Sequence, residues 1–331
     1  MGISEIDGNF LLRHRQDDGL WRDFRTLAGE GVDWPSAFVG LHLAHAGAER
    51  PTLMRTAEAL LGHQHEDGGW GYHADVPTDA DTTACVLLFL IELGYRNADI
   101  NHAAICLARH QNPISGGVRT YAKPRPIQRY MKLGNRVRLD GWCRSHLEVT
   151  AIAGRAFVAL GDDFRAEAEA AWHYVKAQQR DDGCWHGYWW TLPYYPTMQA
   201  MELASTMKDE QAMRHAASWI CGQQRREGTW GEPASAFATA LALTGLVVGG
   251  AHAPRAKRAA EHLLDLRRAD GAWPAHAEMR IPPPWTAKPD HQKYRVDELG
   301  TGVIVHDHNH LFTTALCLSA LVRSGGARWA N

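Results

Sequence analysis

The sequence lacks several features that would place a protein in a specialised class. It has no C-x-x-C pair, and its six cysteines are scattered through apolar stretches, which predicts reduced thiols and a cytoplasmic protein. The net charge of -2 argues against a nucleic-acid-binding protein. No apolar run approaches the roughly 20 residues that span a bilayer, and the first residues lack a signal-peptide core. A soluble protein is predicted, with a peripheral membrane contact left open.

What the sequence does contain is an internal repeat. A turn pattern, Gln-x-x-Asp-Gly-x-Trp, recurs with small variations, and each copy lies between a helical segment and an apolar helix rich in small residues. The copies are at 16–21, 64–70, 110–117, 179–185, 224–230 and 270–273. A single helix pair could not bury its apolar face, whereas a closed ring of six pairs can. We therefore predict an all-α fold, a single (α/α)6 barrel domain over residues 1–331.

The second copy leads into the most distinctive helix. A helix is expected to start after Pro77, with Thr78 or Asp79 as its N-cap, and residues 84–91 are apolar on every side, which predicts a fully buried helix. Asp79 and Asp81 lie where this helix meets the preceding polar loop. These carboxylates either cap the helix or form part of an active site.

Two loops carry charged or metal-binding side chains. The loop 119–138 contains seven Lys or Arg residues and no Asp or Glu. Among these basic residues, Arg125, Arg129 and Lys132 could bind a diphosphate. The same loop could instead be solvated or contact anionic lipid. The loop before the last helix holds three alternating histidines, which are suited to a divalent metal such as Mg, Zn, Fe or Cu or to hydrogen bonds with carboxylates. These are His306, His308 and His310.

Several segments resemble the squalene-hopene cyclase and class II terpene cyclase superfamily. Residues 78–84 (T-D-A-D-T-T-A) resemble its D-x-D-D-T-A acid motif, and residues 145–150 (S-H-L-E-V-T) are similar to S-x-x-D-V-T. Residues 182–197 resemble D-G-x-W-x-G-x-W followed by Y-x-T, and the three segments occur in the family's order. Thr82 replaces the last aspartate of the acid motif, and Ile152 replaces a histidine that supports the acid in hopene cyclases. The second helical domain of those cyclases has no counterpart in the sequence.

The resemblance implies proton-initiated cyclisation of an isoprenoid, either a polyene or a prenyl diphosphate, with no metal cofactor. Asp81 would be the general acid, Asp79 its proton-sharing neighbour and Glu148 a polar partner across the cavity. Burial and a neighbouring carboxylate would both raise the pKa of such an acid. The substrate lining and carbocation-stabilising rings would come from the aromatic loop, namely Trp185, Trp189, Trp190, Tyr194 and Tyr195.

Two other functions are kept as alternatives. The first is a metal-dependent enzyme that uses the same barrel for a small apolar or aromatic substrate, with His306, His308 and His310 as ligands. The second is a non-catalytic carrier of an isoprenoid or lipid, bound at the apolar mouth of the barrel.

Overall fold

The structure, a computed structural model, describes residues 9–250, 253–296 and 299–325, and it is mostly helical, as predicted. None of the helices in these ranges is long and apolar enough to cross a membrane. The α-helices of the described ranges are α1 (Asn9–Arg13), α2 (Asp33–His45), α3 (Arg50–Gly62), α4 (Ala80–Glu92), α5 (Ala98–His110), α6 (Pro124–Tyr130), α7 (Leu147–Leu160), α8 (Arg165–Lys176), α9 (Tyr194–Thr206), α10 (Glu210–Gly222), α11 (Ala236–Val248), α12 (Ala253–Asp265) and α13 (Leu311–Arg323).

Six of these helices contact one another in a closed order, α2–α4–α7–α9–α11–α13 and back to α2. The helices α3, α5, α8, α10 and α12 each pack outside one or two members of that ring. The inner helices are buried almost all round; in α11 every residue from Ala236 to Leu246 is buried. The outer helices are amphipathic, and α12 buries only the four residues of one stripe, Ala256, Ala259, Ala260 and Leu263.

The tryptophan of each complete repeat turn is tied to the helix before it. Its indole N–H donates to a backbone carbonyl ten residues earlier, and the ring is buried. The pairs are Trp21 with Leu11 (2.7 Å), Trp70 with Leu60 (2.6 Å), Trp185 with Val175 (2.8 Å), Trp230 with Ile220 (2.7 Å) and Trp273 with Leu263 (2.6 Å). Because the separation of ten residues is the same in all five pairs, each turn lies at the same place relative to the helix before it.

A second bond, here called the hydroxyl clamp, ties each turn to the inner helix that follows. The fourth residue of each inner helix is Ser or Thr, and its hydroxyl oxygen accepts the backbone N–H of the tryptophan, or of Val118 in the degenerate copy, at 2.8–3.1 Å. The clamp residues are Ser36, Thr83, Thr150, Thr197, Thr239 and Thr314. The six inner helices therefore start at equivalent points.

Two small β-sheets depart from the all-α prediction. The hairpin of β1 (Asp23–Thr26) and β2 (Gly29–Gly31) precedes α2. The second sheet has the order β3-β5-β4 and is built from β3 (Glu278–Ile281), β4 (Arg295–Val296) and β5 (Val303–His306), with β3 antiparallel and β4 parallel to β5. The strands are only two to four residues long, so they give no alternating apolar pattern in the sequence.

We expect Thr239→Val to lower the free energy of unfolding by roughly 1–3 kcal/mol, because the buried N–H of Trp230 would lose its acceptor while the side-chain shape is kept. Thr244→Val is the matched control: Thr244 lies on the same helix and is 2% exposed, but no clamp bond depends on it. Urea denaturation of both variants measures the difference. Equal losses in the two variants would show that the clamp contributes nothing.

Candidate active site

A mostly apolar cavity lies at the end of the ring where the inner helices begin. It encloses about 720 Å³, part of it open to solvent, and it is called the main cavity below. Its walls combine aromatic rings and aliphatic side chains with a few polar groups, and none of the lining residues is a lysine, arginine or histidine. The aromatic members are Trp34, Tyr72, Tyr121, Trp142, Trp189 and Trp190. The polar members are Thr26, Asp79, Asp81, Thr82 and Thr120.

The two predicted aspartates both line this cavity, but they are held differently. Asp79 is the N-cap of α4: its Oδ1 accepts the backbone N–H of Thr82 at 2.8 Å, and its Oδ2 accepts the Thr82 hydroxyl at 2.9 Å. Asp81 lies in the first turn, and its buried Oδ1 has no hydrogen-bond partner among the described residues. Part of the Asp81 surface is accessible only because it faces the cavity.

Burial sets the protonation state of both carboxyls. Desolvation raises the pKa of Asp81 well above its ordinary value, and the nearby carboxylates of Asp79 and Glu148 raise it further. Desolvation raises the pKa of Asp79 to about 7, even though the hydrogen bonds from Thr82 favour its ionised form. Burial and like-charge repulsion therefore both favour the neutral form of the Asp81 carboxyl.

Glu148 does not line the main cavity, which differs from the expectation of a polar partner across it. Its Oε1 accepts the backbone N–H groups of Tyr188 and Trp189 at 2.7 and 2.6 Å. Its Oε2 is buried and has no partner among the described residues. Desolvation raises the pKa of Glu148, against the bonds from the two N–H groups. Glu148 thus holds in place the loop that carries Trp189 and Trp190.

The five aromatic residues predicted to line the site have three different places. Trp189 and Trp190 line the main cavity. Tyr194 and Tyr195 line a separate and much smaller cavity between the starts of α9 and α11, which has room for about one water molecule. Trp185 lines neither cavity, because it is the repeat-turn tryptophan whose indole is bound to the Val175 carbonyl. Assigning Trp185 to the substrate lining was wrong: its place in the repeat turn fixes it behind the barrel wall.

Sequence reasoning missed a polar network that fixes the Trp189 ring. The indole N–H of Trp189 donates to the Thr120 hydroxyl oxygen at 3.0 Å, and Thr120 is bonded to Nδ1 of His146 at 2.7 Å. His146 also bonds the Gly141 carbonyl through Nε2 at 2.9 Å and stacks on Tyr188 with ring centroids 4.0 Å apart. Burial lowers the pKa of His146 to about 3, so the imidazole is neutral. The serine-histidine pair at 145–146 was the available signal in the sequence.

The basic residues of the loop lie outside the main cavity. Arg125, Arg129 and Lys132 are exposed and line a solvent-open depression on one face of α6 and the turn that follows it. The opposite face of α6 places Ile127 and Met131 in the wall of the main cavity. The short helix therefore separates a cationic surface from the apolar chamber.

The three histidines do not converge, so the structure does not support them as a set of metal ligands. Nε2 of His306 is 3.6 Å from Glu278, whereas His308 lies between Asp23 (3.5 Å) and Glu30 (3.1 Å). His310 is the N-cap residue of α13, with φ of 60°. No group of three or more His, Cys, Asp or Glu side chains suited to a metal ion occurs in the ranges that the structure describes. His306 and His308 contact carboxylates, which was the other interpretation of the pattern, whereas Nε2 of His310 lies 3.4 Å from Arg268.

The raised pKa of Asp79 gives stability a specific pH dependence. A carboxyl whose pKa is higher in the folded state favours folding while it is protonated, and that contribution is lost as pH rises from about 4 through about 7. Asp79→Asn keeps an N-cap side chain but cannot ionise. We expect the variant to gain roughly 2–3 kcal/mol relative to the unsubstituted protein between about pH 5 and about pH 8.

Chemical denaturation at the two pH values measures this difference. Asp75→Asn is the control, because the Asp75 side chain is 90% exposed and should leave the pH profile unchanged. Parallel pH profiles for Asp79→Asn and the unsubstituted protein would contradict the raised pKa.

The chain is similar in sequence to known terpene and triterpene cyclases. The squalene-hopene cyclase C-terminal domain model matches residues 145–286. The chain is 27% identical over 271 residues to drimenyl diphosphate synthase from Streptomyces showdoensis, covering 75% of this chain and 46% of that protein. The chain thus spans less than half the length of the first curated relatives that it matches.

Solved structures match over nearly the whole length. The type II terpene cyclase MstE from Scytonema, in complex with geranylgeranyl dihydroxybenzoate, is 29% identical with a TM-score of 0.87, covering 98% of this chain and 97% of that one. A protein from Actinoplanes is 32% identical with a TM-score of 0.89, covering 98% of both chains. On these matches, the chain is similar to squalene-hopene cyclases over residues 145–286 and to a solved type II terpene cyclase over nearly its whole length.

Proposed function

We propose that this protein is an (α/α)6-barrel class II terpene cyclase, an isomerase that protonates and cyclises an isoprenoid substrate, with Asp81 as general acid. The observation that carries the proposal is the Asp81 carboxyl, which faces an apolar cavity and has a buried Oδ1 without a partner among the described residues. An alkene is a weak base, so its protonation needs an acid that is still un-ionised when the substrate arrives.

The chemistry follows from this arrangement. The Asp81 O–H bond breaks as its proton forms a C–H bond with the terminal alkene, which leaves a tertiary carbocation and the Asp81 carboxylate. Each neighbouring alkene then attacks the cation in turn and forms a ring bond. Loss of a proton from the last cation ends the sequence, and the Asp81 carboxylate takes up a proton before the next turnover.

The chain's own residues favour these steps in two ways. Faces of Trp34, Trp142, Trp189 and Trp190 line the cavity and can stabilise the moving positive charge, at about 0.5–2 kcal/mol for each well-placed ring. The apolar walls also keep water away from the cation, which would otherwise be quenched. Asp79, with a pKa of about 7, is the neighbour that opposes ionisation of Asp81 by like-charge repulsion; the structure shows no hydrogen bond between the two carboxyls through which they would share a proton, because both Asp79 oxygens accept from Thr82.

For the substrate we propose a polyene with a polar head group, such as a prenyl diphosphate. Arg125, Arg129 and Lys132 form a cationic surface on the outer face of α6, whose other face is part of the cavity wall, and such a surface suits a diphosphate. MstE is described with geranylgeranyl dihydroxybenzoate, and a relative is a drimenyl diphosphate synthase. Both compounds combine a polar head with an isoprenoid tail, which supports this class of substrate.

Asp81→Asn should abolish the proton transfer and lower kcat by at least about 10²-fold, because the amide keeps the shape of the acid but cannot donate its proton. Conversion of farnesyl and geranylgeranyl diphosphates is measured by product analysis, with circular dichroism to check folding. The matched control is Asp99→Asn, since Asp99 occupies the same place after its N-cap in the outer helix α5, away from the cavity. A folded Asp81→Asn protein with retained activity would sink the mechanism.

The triple replacement of Arg125, Arg129 and Lys132 by Ala should raise KM for a prenyl diphosphate by about tenfold or more, since three positive charges near the phosphates would be lost. The corresponding prenyl alcohol, which lacks the phosphates, should be affected little. Steady-state kinetics with the matched pair of substrates separates the two cases. An equal effect on both substrates would assign the loop a structural role.

A further inference from the structure

A hydrogen-bonded threonine and histidine lie at the wall of the main cavity, and no step of the proposed mechanism uses them. Thr120 and Trp189 both line that cavity, so the 3.0 Å bond from the Trp189 indole N–H to the Thr120 hydroxyl oxygen lies at its wall. Nδ1 of His146 is 2.7 Å from the same hydroxyl oxygen. The cyclisation ends with the loss of a proton, and that proton needs an acceptor in the cavity wall.

The position of each proton in the Thr120–His146 pair follows from the partners of the imidazole. A backbone carbonyl oxygen can only accept a hydrogen bond, so Nε2 of His146, 2.9 Å from the Gly141 oxygen, carries the ring proton. The ring is neutral because burial lowers its pKa to about 3, and Nδ1 therefore has a lone pair. Thr120 donates its hydroxyl proton to that lone pair. Stacking on Tyr188 holds the imidazole in this orientation.

The Thr120 oxygen keeps one lone pair for a further proton. A hydroxyl oxygen has two lone pairs, and the N–H of Trp189 occupies one of them. No other donor among the described residues bonds to this oxygen. Thr120 can therefore take up one proton while it passes its own to His146.

Three other hydroxyls that line the main cavity lack this arrangement. Thr26 and Tyr72 each donate to a backbone carbonyl oxygen, at 3.3 and 2.9 Å, and a carbonyl is too weak a base to keep a transferred proton. Thr82 donates to Asp79 at 2.9 Å, in the same helix turn as the acid Asp81. A proton taken up by Thr82 would therefore return to the place where the reaction starts.

We propose that the Thr120 hydroxyl is the base that ends the cyclisation, with His146 as the group that receives its proton. This inference rests on the proposed function. The C–H bond next to the last cationic carbon breaks, its electron pair forms the alkene of the product, and the proton bonds to the Thr120 oxygen. The former hydroxyl proton bonds to Nδ1 of His146 and leaves an imidazolium. After the product leaves, the two transfers run in reverse to a solvent water, and the imidazole is neutral again.

Such a base has to be too weak to take the Asp81 proton before the alkene does. Burial and like charges raise the pKa of Asp81, whereas burial lowers the pKa of His146 to about 3, so the proton rests on the carboxyl. A carbocation is a far stronger acid than an imidazolium, and its proton passes to the Thr120–His146 pair readily. Opposite pKa shifts in one cavity suit one acid and one base.

The first test removes the hydroxyl and measures the products. Farnesyl and geranylgeranyl diphosphates are incubated with each variant, and the products are separated by gas chromatography after removal of the diphosphate. Thr120→Val should keep substrate consumption within about threefold, because Asp81 still starts the reaction, while the ratio of the main alkene to double-bond isomers and alcohols falls by about tenfold or more. Thr120→Ser keeps the hydroxyl and should keep the ratio.

His146→Phe separates the base from the support of the Trp189 ring. The variant keeps the Thr120 oxygen as the acceptor of the indole N–H and an aromatic ring against Tyr188, but it removes Nδ1, so it should lower the ratio as Thr120→Val does. Thr26→Val is the matched control: Thr26 lines the same cavity and is 7% exposed, against 5% for Thr120, but its hydroxyl donates to a carbonyl. Its product ratio should stay unchanged.

A second measurement does not depend on turnover. In nitrogen-15 NMR spectra of histidine-labelled protein, Nδ1 of His146 should have the chemical shift of an unprotonated imidazole nitrogen. Thr120→Val should move that signal, and Thr120→Ser should leave it nearly in place. Thermal melting of each variant reports folding, and the two Thr120 variants carry the test if His146→Phe unfolds.

The inference is overturned if Thr120→Val leaves the product ratio unchanged, if Thr26→Val shifts it equally, or if Nδ1 carries the ring proton. A main product that is an alcohol would also overturn it, because water would then end the reaction. Loss of consumption in Asp81→Asn with an unchanged ratio in Thr120→Val would retain the cyclase and reject the base. No consumption by the unsubstituted protein, with Nδ1 unprotonated as expected, would reject the proposed function and with it the role of the Thr120–His146 pair.

Discussion

The rest of the structure depends on the hydroxyl clamp at the start of each inner helix. Because the clamp residue is the fourth of each helix, the second residues are also equivalent, and they lie at the same end of the ring. These second residues are Trp34, Asp81, Glu148, Tyr195, Phe237 and Phe312. Neighbours among the aromatic ones contact each other, as Trp34 and Phe312 do with ring centroids 4.7 Å apart. The repeat thus supplies six inward positions, four aromatic and two acidic.

The two acidic positions help to explain why the pKa of Asp81 is raised. A helix N-terminus favours a carboxylate by about 0.3–1 kcal/mol, whereas full burial can shift a carboxyl pKa by about 3–5 units in the opposite direction. The free N–H of Thr82 is taken by Asp79, so the helix end stabilises the N-cap instead of Asp81. Glu148, its repeat equivalent, adds repulsion while its own Oε1 is bound to the Trp189 loop. Burial therefore prevails at Asp81.

The sequence predicted the features that rest on local pattern. The Gln-x-x-Asp-Gly-x-Trp turns predicted the helix pairs. The boundary between polar and apolar residues predicted Thr78 or Asp79 as the N-cap, and the structure shows that it is Asp79, with Asp81 two residues later. The same reasoning failed where one residue type serves two roles, since Trp185 belongs to a turn while Trp189 and Trp190 line the main cavity. Trp34 and Trp142 also line that cavity, but loops distant in sequence bring them there. The alternation of His306, His308 and His310 indicated which way the side chains point but could not identify their partners. The partners Asp23, Glu30 and Glu278 come from distant parts of the chain.

A dry environment favours a neutral carboxylic acid, and loops at the end of the ring where the inner helices begin cover part of the main cavity. The β1–β2 hairpin contributes Leu27 and Ala28 to the wall of the main cavity, α6 contributes Ile127, and β3 contributes Met279 and Ile281. All five side chains are apolar, so this cover disfavours water in the main cavity and also reduces the volume of that cavity. The cover carries its cations on the outer face of α6, away from the acid, where they do not stabilise an Asp81 carboxylate. The same loops therefore keep the cationic surface of Arg125, Arg129 and Lys132 apart from the Asp81 carboxyl.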